Sequence, residues 1–347
     1  MDFICNNARV MKRRSFKQKK FIVFFSIMLT AAIMVCVYAL GVRSPLEKSV
    51  TLRVGRGASV ASVATELQAR GVIESVELFK MSVRSLGGRV QKGEYEIPAR
   101  ASTWRVARML ATGDIATVAV VIPEGLTVKQ IKQLLLASPM LDGPVECTGR
   151  SDMPVCNLHD GDIFPDTYRV ARGTARLALL ELARKKMDSI HDAWKTSGRI
   201  APSPLKNWNE IITLASIVQK ETPREAEMPT VASVYLNRLR KKMRLQADPT
   251  VVYALTDGLG DMQGGALLRG HLKVDSPYNT YTHNGLPPAP IANVGQAALR
   301  AVLRPADTNY LFFVADGRGG HHFSKSYEEH VRHHADWRAI KKSRGVN

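Results

Sequence analysis

The stretch Ile211-Ile212-Thr213-Leu214-Ala215-Ser216-Ile217-Val218-Gln219-Lys220-Glu221-Thr222-Pro223 decides the fold of the larger part of the chain. Its aliphatic residues recur at three- and four-residue spacing, which predicts a helix with one face turned toward a core. The same stripe continues onto Glu221 instead of another aliphatic residue. Because Pro223 prevents the helix from continuing, Glu221 is predicted to lie in its last turn.

A carboxyl group at this place has two physical reasons to keep its proton. Burial disfavours the charged form, and so does the negative end of the helix dipole. A carboxyl that stays partly protonated near neutral pH is what a general acid needs. The alternative interpretation is that Glu221 simply ends the helix in solvent.

The N-terminus predicts a membrane anchor. Residues 1–20 contain seven Lys or Arg and one acidic residue, and an almost unbroken apolar run follows over 21–42. A helix of that length reaches roughly 33 Å, enough for the hydrocarbon core of a bilayer. The run is longer than the usual apolar part of a signal peptide, and no clear cleavage site follows it. We therefore expect a basic cytoplasmic tail over 1–20 and one transmembrane helix over 21–42, with a long cleavable signal peptide as the alternative.

The charge of the remaining chain points to an anionic partner. The formal net charge is +18, and the N-terminal tail supplies only six of it. Such a charge on a cytosolic protein would first suggest nucleic acid. Since the chain after the apolar run is expected to be exported, we expect acidic lipid headgroups or a carboxylate-rich wall polymer instead, and no nucleic acid. A generally basic, solvated surface is the other possibility.

Cysteine usage agrees with export. Cys5 precedes the apolar run and Cys36 lies within it, so only Cys147 and Cys156 would be exported. They flank a loop rich in Gly, Pro, Asp and Ser. In an oxidising compartment such a pair predicts a disulfide, which would stabilise the fold by about 2–3 kcal/mol, and two free thiols are the alternative.

Secondary-structure patterns predict two α+β domains. The first, over 49–119, combines strands at 50–54 and 95–98 with helices at 60–70, 75–86 and 104–111. The second, over 120–347, contains a helix pair at 209–222 and 228–242. Its other predicted elements are helices at 127–138 and 175–197, a compact turn at 161–168, a buried strand at 310–314 and a helix after 327. From Asp248 to about 309 we expect loops that form a groove, because Pro, Gly and Asn are frequent there.

Two polar clusters in these loops are candidate sugar-binding segments. Gln246 and Asp248 follow the predicted helix pair, and Tyr278, Asn279 and Tyr281 follow about thirty residues later. Aromatic rings stack on the apolar faces of sugars, while amide and carboxylate groups bond to their hydroxyls. Each cluster alone could be an ordinary turn, and their proximity in sequence to Glu221 favours a binding role.

The sequence gives little support for a metal or a cofactor. His330 and His334 have helical i, i+4 spacing, but no carboxylate or cysteine at ligand spacing completes a site. No glycine-rich phosphate loop and no Gly-x-Ser-x-Gly motif is present. We therefore expect neither a metal nor an organic cofactor.

Five ordered motifs resemble the MltG (YceG-like) endolytic murein transglycosylases. They are ASIVQKET at 215–222, VASVYLNRL at 231–239, MRLQADPT at 243–250, SPYNTY at 276–281 and FVADGRGGH at 313–321. FPDTY at 164–168 and PEG at 123–125 also match the family. The resemblance extends over nearly the whole chain and implies a cytoplasmic tail, one membrane anchor, a LysM-like module and a catalytic domain.

The resemblance implies cleavage of the β-1,4 bond between N-acetylmuramic acid and N-acetylglucosamine within nascent glycan strands. The products would end in 1,6-anhydromuramic acid, and cleavage would terminate strand elongation. The catalytic glutamate of the family is the second acidic position of its Ser-x-(Ile/Val)-Glu-Lys-Glu-Thr motif, and Glu221 occupies that position. Gln219 replaces the glutamate that is usual at the first position.

One carboxyl group is enough for this reaction. Hydrolysing glycosidases normally use two carboxyl groups. In a lytic transglycosylase the 6-hydroxyl of muramic acid attacks the anomeric carbon, so Glu221 would act first as acid and then as base. Two alternatives remain open at this point. One is a muramidase that uses Glu221 together with Asp248, and the other is a wall-binding scaffold without catalysis.

The anchor and the resemblance together imply a location and partners. We expect a single-pass protein of the bacterial inner membrane, with a cytoplasmic N-terminus and a periplasmic catalytic domain. The expected partners are peptidoglycan glycan strands, membrane lipid around 21–42, and peptidoglycan synthases of the penicillin-binding class.

Overall fold

The computed structural model describes residues 26–31, 34, 44, 46–147, 153–260, 262 and 265–343. The predicted tail over 1–20 and most of the apolar run over 21–42 lie outside these residues. The described part of the chain contains no helix that is both long and apolar enough to cross a membrane. The chain divides into two compact units, Met1–Thr117 and Val118–Asn347.

The first unit is a small α+β fold. Its elements are β1 (Val50–Val54), α1 (Val60–Ala69), α2 (Val76–Ser85), β2 (Gly93–Ile97) and α3 (Thr103–Thr112). β1 and β2 pair in antiparallel orientation. A serine hydroxyl caps the N-terminus of each helix, since the side chains of Ser59, Ser75 and Ser102 accept a backbone N–H. These elements follow the predicted ones to within two residues.

The core of the first unit is formed by one face of the strand pair and one face of each helix. Leu52 of β1 and Tyr95 of β2 lie opposite each other and are fully buried. They pack with Leu67, Phe79 and Leu110, one from each helix. The unit therefore has an apolar core of its own, which the alternating and helical patterns of the sequence predict.

The second unit is also α+β but is dominated by helices. Its strands are β3 (Thr117–Ile122), β4 (Leu141–Asp142), β5 (Asp166–Ala171), β6 (Thr174–Ala175), β7 (Phe312–Ala315) and β8 (His321–Ser324). Its helices are α4 (Val128–Ala137), α5 (Arg176–Thr196), α6 (Trp208–Glu221), α7 (Met228–Arg240), α8 (Asp248–Thr256), α9 (Gln296–Leu303) and α10 (Tyr327–Ser343). The pairs are β3 with β5, β4 with β6, and β7 with β8. The α+β class predicted from the sequence is confirmed.

Helix α6 is the centre of this unit. Eight consecutive residues, Ile211–Val218, are buried, because α7 and α9 both pack against the helix. A helix buried on all sides is typical of the interior of a larger domain. Asn207 caps its N-terminus, where Oδ1 accepts the N–H of Glu210 at 2.9 Å. The helix ends at Glu221, as the position of Pro223 predicts.

The region after Asp248 was predicted to be loop-rich, and the structure adds two helices, α8 and α9, that were not predicted there. Pro249 is in the first turn of α8, where a missing N–H costs no hydrogen bond. The predicted turn at 161–168 is also shorter than expected, since β5 begins at Asp166. The predicted buried strand at 310–314 is β7, whose four residues are only partly buried.

Candidate active site

Glu221 meets a tyrosine from the neighbouring helix. The Tyr235 hydroxyl, which projects from α7, donates a hydrogen bond to Glu221 Oε1 at 2.6 Å. Tyr235 is buried with 1% of its surface exposed, and Glu221 is partly buried. Because Oε1 is engaged by this bond, the other carboxyl oxygen is the one available to carry a proton toward a ligand.

Burial raises the pKa of Glu221 to about 7. The hydrogen bond from Tyr235 lowers this pKa, the negative charge of Asp248 raises it, and the positive charge of Arg238 lowers it. Desolvation outweighs the two opposing interactions because the carboxylate loses most of its water at this place. A glutamic acid with this pKa is half protonated at neutral pH, which suits a group that both donates and accepts a proton.

Arg238 is a buried cation close to this carboxyl. Its guanidinium donates from Nε to Leu311 O and from Nη1 to Leu245 O, each at 2.6 Å. It also lies over the ring of Phe312, with 5.4 Å between Cζ and the ring centroid. Burial lowers the pKa of Arg238. Arg238 therefore ties the segment before α8 to the segment before β7 and adds positive potential near Glu221.

Asp248, the second carboxylate of the site, lies in the first turn of α8. It is exposed, and the Tyr281 hydroxyl donates a hydrogen bond to its Oδ1. Burial raises the pKa of Tyr281 well above its ordinary value, so this hydroxyl is a stable donor. The position of Asp248 at a helix N-terminus complements the helix dipole, which attracts negative charge there.

Glu221 and Asp248 line the same cleft, whose volume is about 340 Å³. We call it the Glu221 cleft. Its other lining residues come from α4, from the end of α6, from α8 and its following turn, and from the segment before α9: Thr127, Gln130, Lys220, Pro249, Val252, Tyr253, Gly258, Gly260 and Ile291. The mixture of aliphatic, tyrosine and polar groups suits a sugar ring.

Tyr253, which lines the cleft, forms a half-buried pair with a carboxyl group, Asp160, that the sequence did not predict. The Tyr253 hydroxyl donates to Asp160 Oδ2 at 2.8 Å, and Val128 N–H donates to Asp160 Oδ1 at 2.6 Å. Burial raises the pKa of Asp160 above its ordinary value. The ring of Tyr278 packs on that of Tyr253, with 4.8 Å between centroids. Tyr278 therefore supports the cleft wall from behind Tyr253.

The other predicted binding residues differ in placement. Asn279 is fully buried. Its Nδ2 donates to Leu272 O and Val274 O, and its Oδ1 accepts the N–H of Tyr281. We therefore expect Asn279 to shape the loop and not to touch a ligand. Gln246 is exposed, with a φ of 50°, and its N–H donates to Thr280 O at 3.1 Å.

Gln219, where the family usually has a glutamate, contacts the backbone before α9. Its Oε1 accepts the N–H of Gly295, the residue before α9, at 3.0 Å. The amide oxygen makes this bond without adding a negative charge to the last turn of α6. Glu221 is therefore the only carboxyl in that turn.

Cys147 and Cys156 form a disulfide with a Cα–Cα distance of 5.6 Å. The two cysteines pack against the core cluster that includes Val145 and Val155. On the terminal helix, the rings of His330 and His334 are 6.2 Å apart. Within the residues that the structure describes, no three His, Cys, Asp or Glu side chains are grouped so as to hold a metal ion.

Tyr235, Arg238, Tyr253 and Asp160 were not predicted as site residues. The spacing of Tyr235 and Arg238 was a usable signal, because residues at i and i+3 share a helix face. Both lie in the VASVYLNRL motif at 231–239. No comparable signal connects Tyr253 with Asp160, which is 93 residues away in the sequence.

Comparison with known proteins gives consistent results. A profile of the YceG-like family matches residues 52–336. A relative from Bacillus subtilis (strain 168), named endolytic murein transglycosylase, is 29% identical over 321 residues, which cover 84% of this chain and 87% of the relative. A relative of the same name from Streptococcus pneumoniae (strain D39 / NCTC 7466) is 24% identical, and the match covers 91% of this chain and 64% of the relative. The crystal structure of a YceG-like protein from Listeria monocytogenes superposes with a TM-score of 0.50 at 29% identity, covering 82% of this chain and 99% of the other.

Proposed function

The chain belongs to the YceG-like family, and on this premise we propose that it is an endolytic murein transglycosylase in which Glu221 transfers the protons. Its substrate is the glycan strand of peptidoglycan. The observation that carries the assignment of Glu221 is its environment: a carboxyl on a cleft, bonded by Tyr235, with a pKa raised to about 7 by burial.

The reaction needs one carboxyl group and the substrate. Glu221 donates its proton to the oxygen between N-acetylmuramic acid and N-acetylglucosamine, and the bond from that oxygen to the anomeric carbon of muramic acid breaks. The 6-hydroxyl of the same muramic acid then bonds to the anomeric carbon and gives its proton to Glu221. The carboxyl is restored, and no water is consumed.

The surroundings of Glu221 support both steps. The Tyr235 hydroxyl holds one carboxyl oxygen, which fixes the orientation of the other toward the cleft. When the proton leaves, Tyr235 and Arg238 stabilise the resulting carboxylate, as their effects on its pKa indicate. Asp248 opposes that charge, so Glu221 regains its proton readily in the second step.

The products test this assignment. The full-length protein, purified in detergent, is incubated with uncross-linked glycan strands, and the strand ends are analysed by mass spectrometry. We expect 1,6-anhydro ends, which are lighter than reducing ends by one water, about 18 Da. Cleavage that yields mainly reducing ends would contradict the transglycosylase assignment.

A muramidase is the second candidate, because Asp248 lines the same cleft as Glu221. In that reaction Asp248 would activate a water or attack the sugar directly. Cleavage in water enriched in oxygen-18 separates the two mechanisms. A hydrolase transfers the label to every new end, whereas a lytic transglycosylase transfers none.

We infer that residues 21–42 anchor the protein in the bacterial inner membrane, with residues 1–20 in the cytoplasm and the catalytic unit in the periplasm. The support is the apolar run and the positive flank. Residues 49–119 would serve as a LysM-like glycan-binding module, for which the α+β elements of the first unit are suitable.

An anchored enzyme that terminates nascent strands would work beside the synthases that extend them. We therefore expect penicillin-binding synthases as partners. Crosslinking in intact cells, followed by purification of the full-length protein, tests this. Recovery of a synthase supports the proposal, and a crosslinked sample without any synthase contradicts it.

A further inference from the structure

The second unit has another cavity beside the Glu221 cleft, and it is the larger of the two. Its volume is about 620 Å³. The buried residues Phe164 and Pro165 contribute to its floor, and α5 and α9 form its two sides. Three arginines line it, namely Arg199, Arg300 and Arg304. We call it the arginine groove.

These arginines are exposed. Among the described residues, none forms an ion pair with them. Two acidic residues, Glu124 and Asp166, also line the groove. Asp166 pairs with Lys186, and Glu124 lies so close to Gly295 that a Cβ there would overlap its carboxylate. Glu124 therefore lies near the N-terminal end of α9, which favours negative charge.

The groove as a whole attracts anions. Three like charges around one cavity repel each other, and a bound carboxylate relieves that repulsion. Arginine also matches carboxylates through paired hydrogen bonds. The apolar floor favours a ligand that has aliphatic groups between its charges. A short acidic peptide combines these properties.

The groove adjoins the catalytic cleft. Glu124 lines the groove and Thr127 lines the cleft, and the short segment between them separates the two cavities. Lys220 Nζ donates to Gly125 O across this segment at 3.3 Å. Gln296 also lines the groove and follows Gly295, which bonds to Gln219 in the last turn of α6. The two cavities therefore lie on either side of this short segment.

We propose that the arginine groove binds the acidic stem peptide carried by muramic acid, so that the enzyme selects strands bearing stems. This inference rests on the proposed function, because a strand that occupies the Glu221 cleft brings its attached stem to the groove. The free carboxylates of the stem pair with the arginines, and its aliphatic side chains pack on Phe164 and Pro165.

The test compares two substrates and two double variants of the full-length protein. The substrates are uncross-linked glycan strands with their stems and the same strands after an amidase has removed the stems. The variant R300A/R304A removes two groove charges. The control R169A/R172A removes two exposed arginines that do not line the groove.

We expect R300A/R304A to lower kcat/KM on stem-bearing strands by about tenfold, mainly through KM. On strands without stems, and in the control variant on both substrates, kcat/KM should stay within about twofold of wild type. An equal loss on both substrates would overturn the proposal, and so would no loss on either.

A binding measurement separates this proposal from the proposed function. A synthetic stem peptide is titrated into the E221Q variant, with and without R300A/R304A, so that no cleavage is needed. We expect the arginine substitutions to weaken binding about tenfold. Unchanged binding would overturn the groove assignment even if anhydro ends are formed. An unrelated acidic peptide or vesicles of anionic lipid that compete equally well would overturn the assignment to stems.

Discussion

The two carboxylates of the Glu221 cleft lie at opposite kinds of helix end. Glu221 closes α6, where the dipole is negative, and it is partly buried beside Tyr235. Asp248 begins α8, where the dipole is positive, and it is exposed and bonded by Tyr281. Burial raises the pKa of Glu221 to about 7, and the charge of Asp248 adds to that rise.

This difference separates the roles of two chemically similar side chains. A carboxyl that is desolvated at a helix C-terminus holds its proton and can donate it. A solvated carboxylate at a helix N-terminus is suited to hydrogen bonding with hydroxyl groups. The fold thus provides one acid and one polar contact, which is what a reaction with an internal nucleophile requires.

The largest effect is expected from removing the acid. Glu221→Gln keeps the shape of the side chain and its bond to Tyr235 but cannot donate a proton as an acid. We expect the rate of glycan cleavage to fall by about 10²–10⁴-fold, measured as anhydro ends released per minute. The control is Glu225→Gln, which changes an exposed glutamate four residues later. Cleavage by Glu221→Gln at the wild-type rate would show that the two carboxylates do not differ as described.

The same substitution should change stability in a pH-dependent way. The pKa of Glu221 is raised from 4.5 to about 7 on folding, so the folded state loses stability as pH rises through this window. A glutamine at position 221 does not ionise, so the folded variant does not lose stability in this way. We expect Glu221→Gln to exceed wild type in unfolding free energy at pH 8 by up to about 3 kcal/mol, with a much smaller gain at pH 5. Urea melts at both pH values measure it, and a gain that is equal at both would contradict the burial argument.

Removing the Tyr235 hydroxyl tests how the surroundings of Glu221 set its pKa. The Tyr235 hydrogen bond lowers the pKa of Glu221, so Tyr235→Phe should raise it. In the proposed reaction the protonated form is the active one, so the alkaline limb of kcat/KM should move to higher pH. We also expect about a tenfold lower rate at pH 6, since the carboxyl loses its orientation. Tyr327→Phe, at an exposed tyrosine, is the control. If the alkaline limb of kcat/KM does not move in Tyr235→Phe, Tyr235 does not lower the pKa of Glu221 as described.

Neutralising the second carboxylate should have the smallest effect on cleavage. It should shift the pKa of Glu221 in the direction opposite to that expected for Tyr235→Phe. The negative charge of Asp248 raises the pKa of Glu221, so Asp248→Asn should lower it. We expect the alkaline limb to move to lower pH by less than about one unit, while cleavage falls by no more than about tenfold. A loss as large as that of Glu221→Gln would instead favour a two-carboxylate mechanism.

The sequence was informative where local patterns determine structure. The aliphatic stripe before Glu221 and the stop at Pro223 placed the acid in the last turn of α6. In the first unit, where a serine precedes each helix, the predicted element bounds agree with the structure to within two residues. The sequence was less informative where chain segments far apart meet. The i, i+3 spacing puts Tyr235 and Arg238 on one helix face, but it does not show that this face meets Glu221.

The missed helix α8 and the placement of Asn279 have the same physical origin. An Asp-Pro pair is found in turns and in first helical turns alike, and the packing of α8 against α6 decides between them. An amide in a polar loop can face a ligand or bond to its own loop. Asn279 bonds to the loop because it is buried there. Both outcomes depend on tertiary contacts that periodicity does not contain.

The central claim is that the Glu221 carboxyl keeps its proton to near neutral pH in the folded protein. The most direct measurement is a pH titration of carboxyl resonances in the full-length protein labelled with carbon-13 at glutamate Cδ. The resonance that disappears in E221Q identifies the group. We predict a midpoint near pH 7 for this resonance. A midpoint near 4.5, the ordinary value for glutamate, would contradict the account.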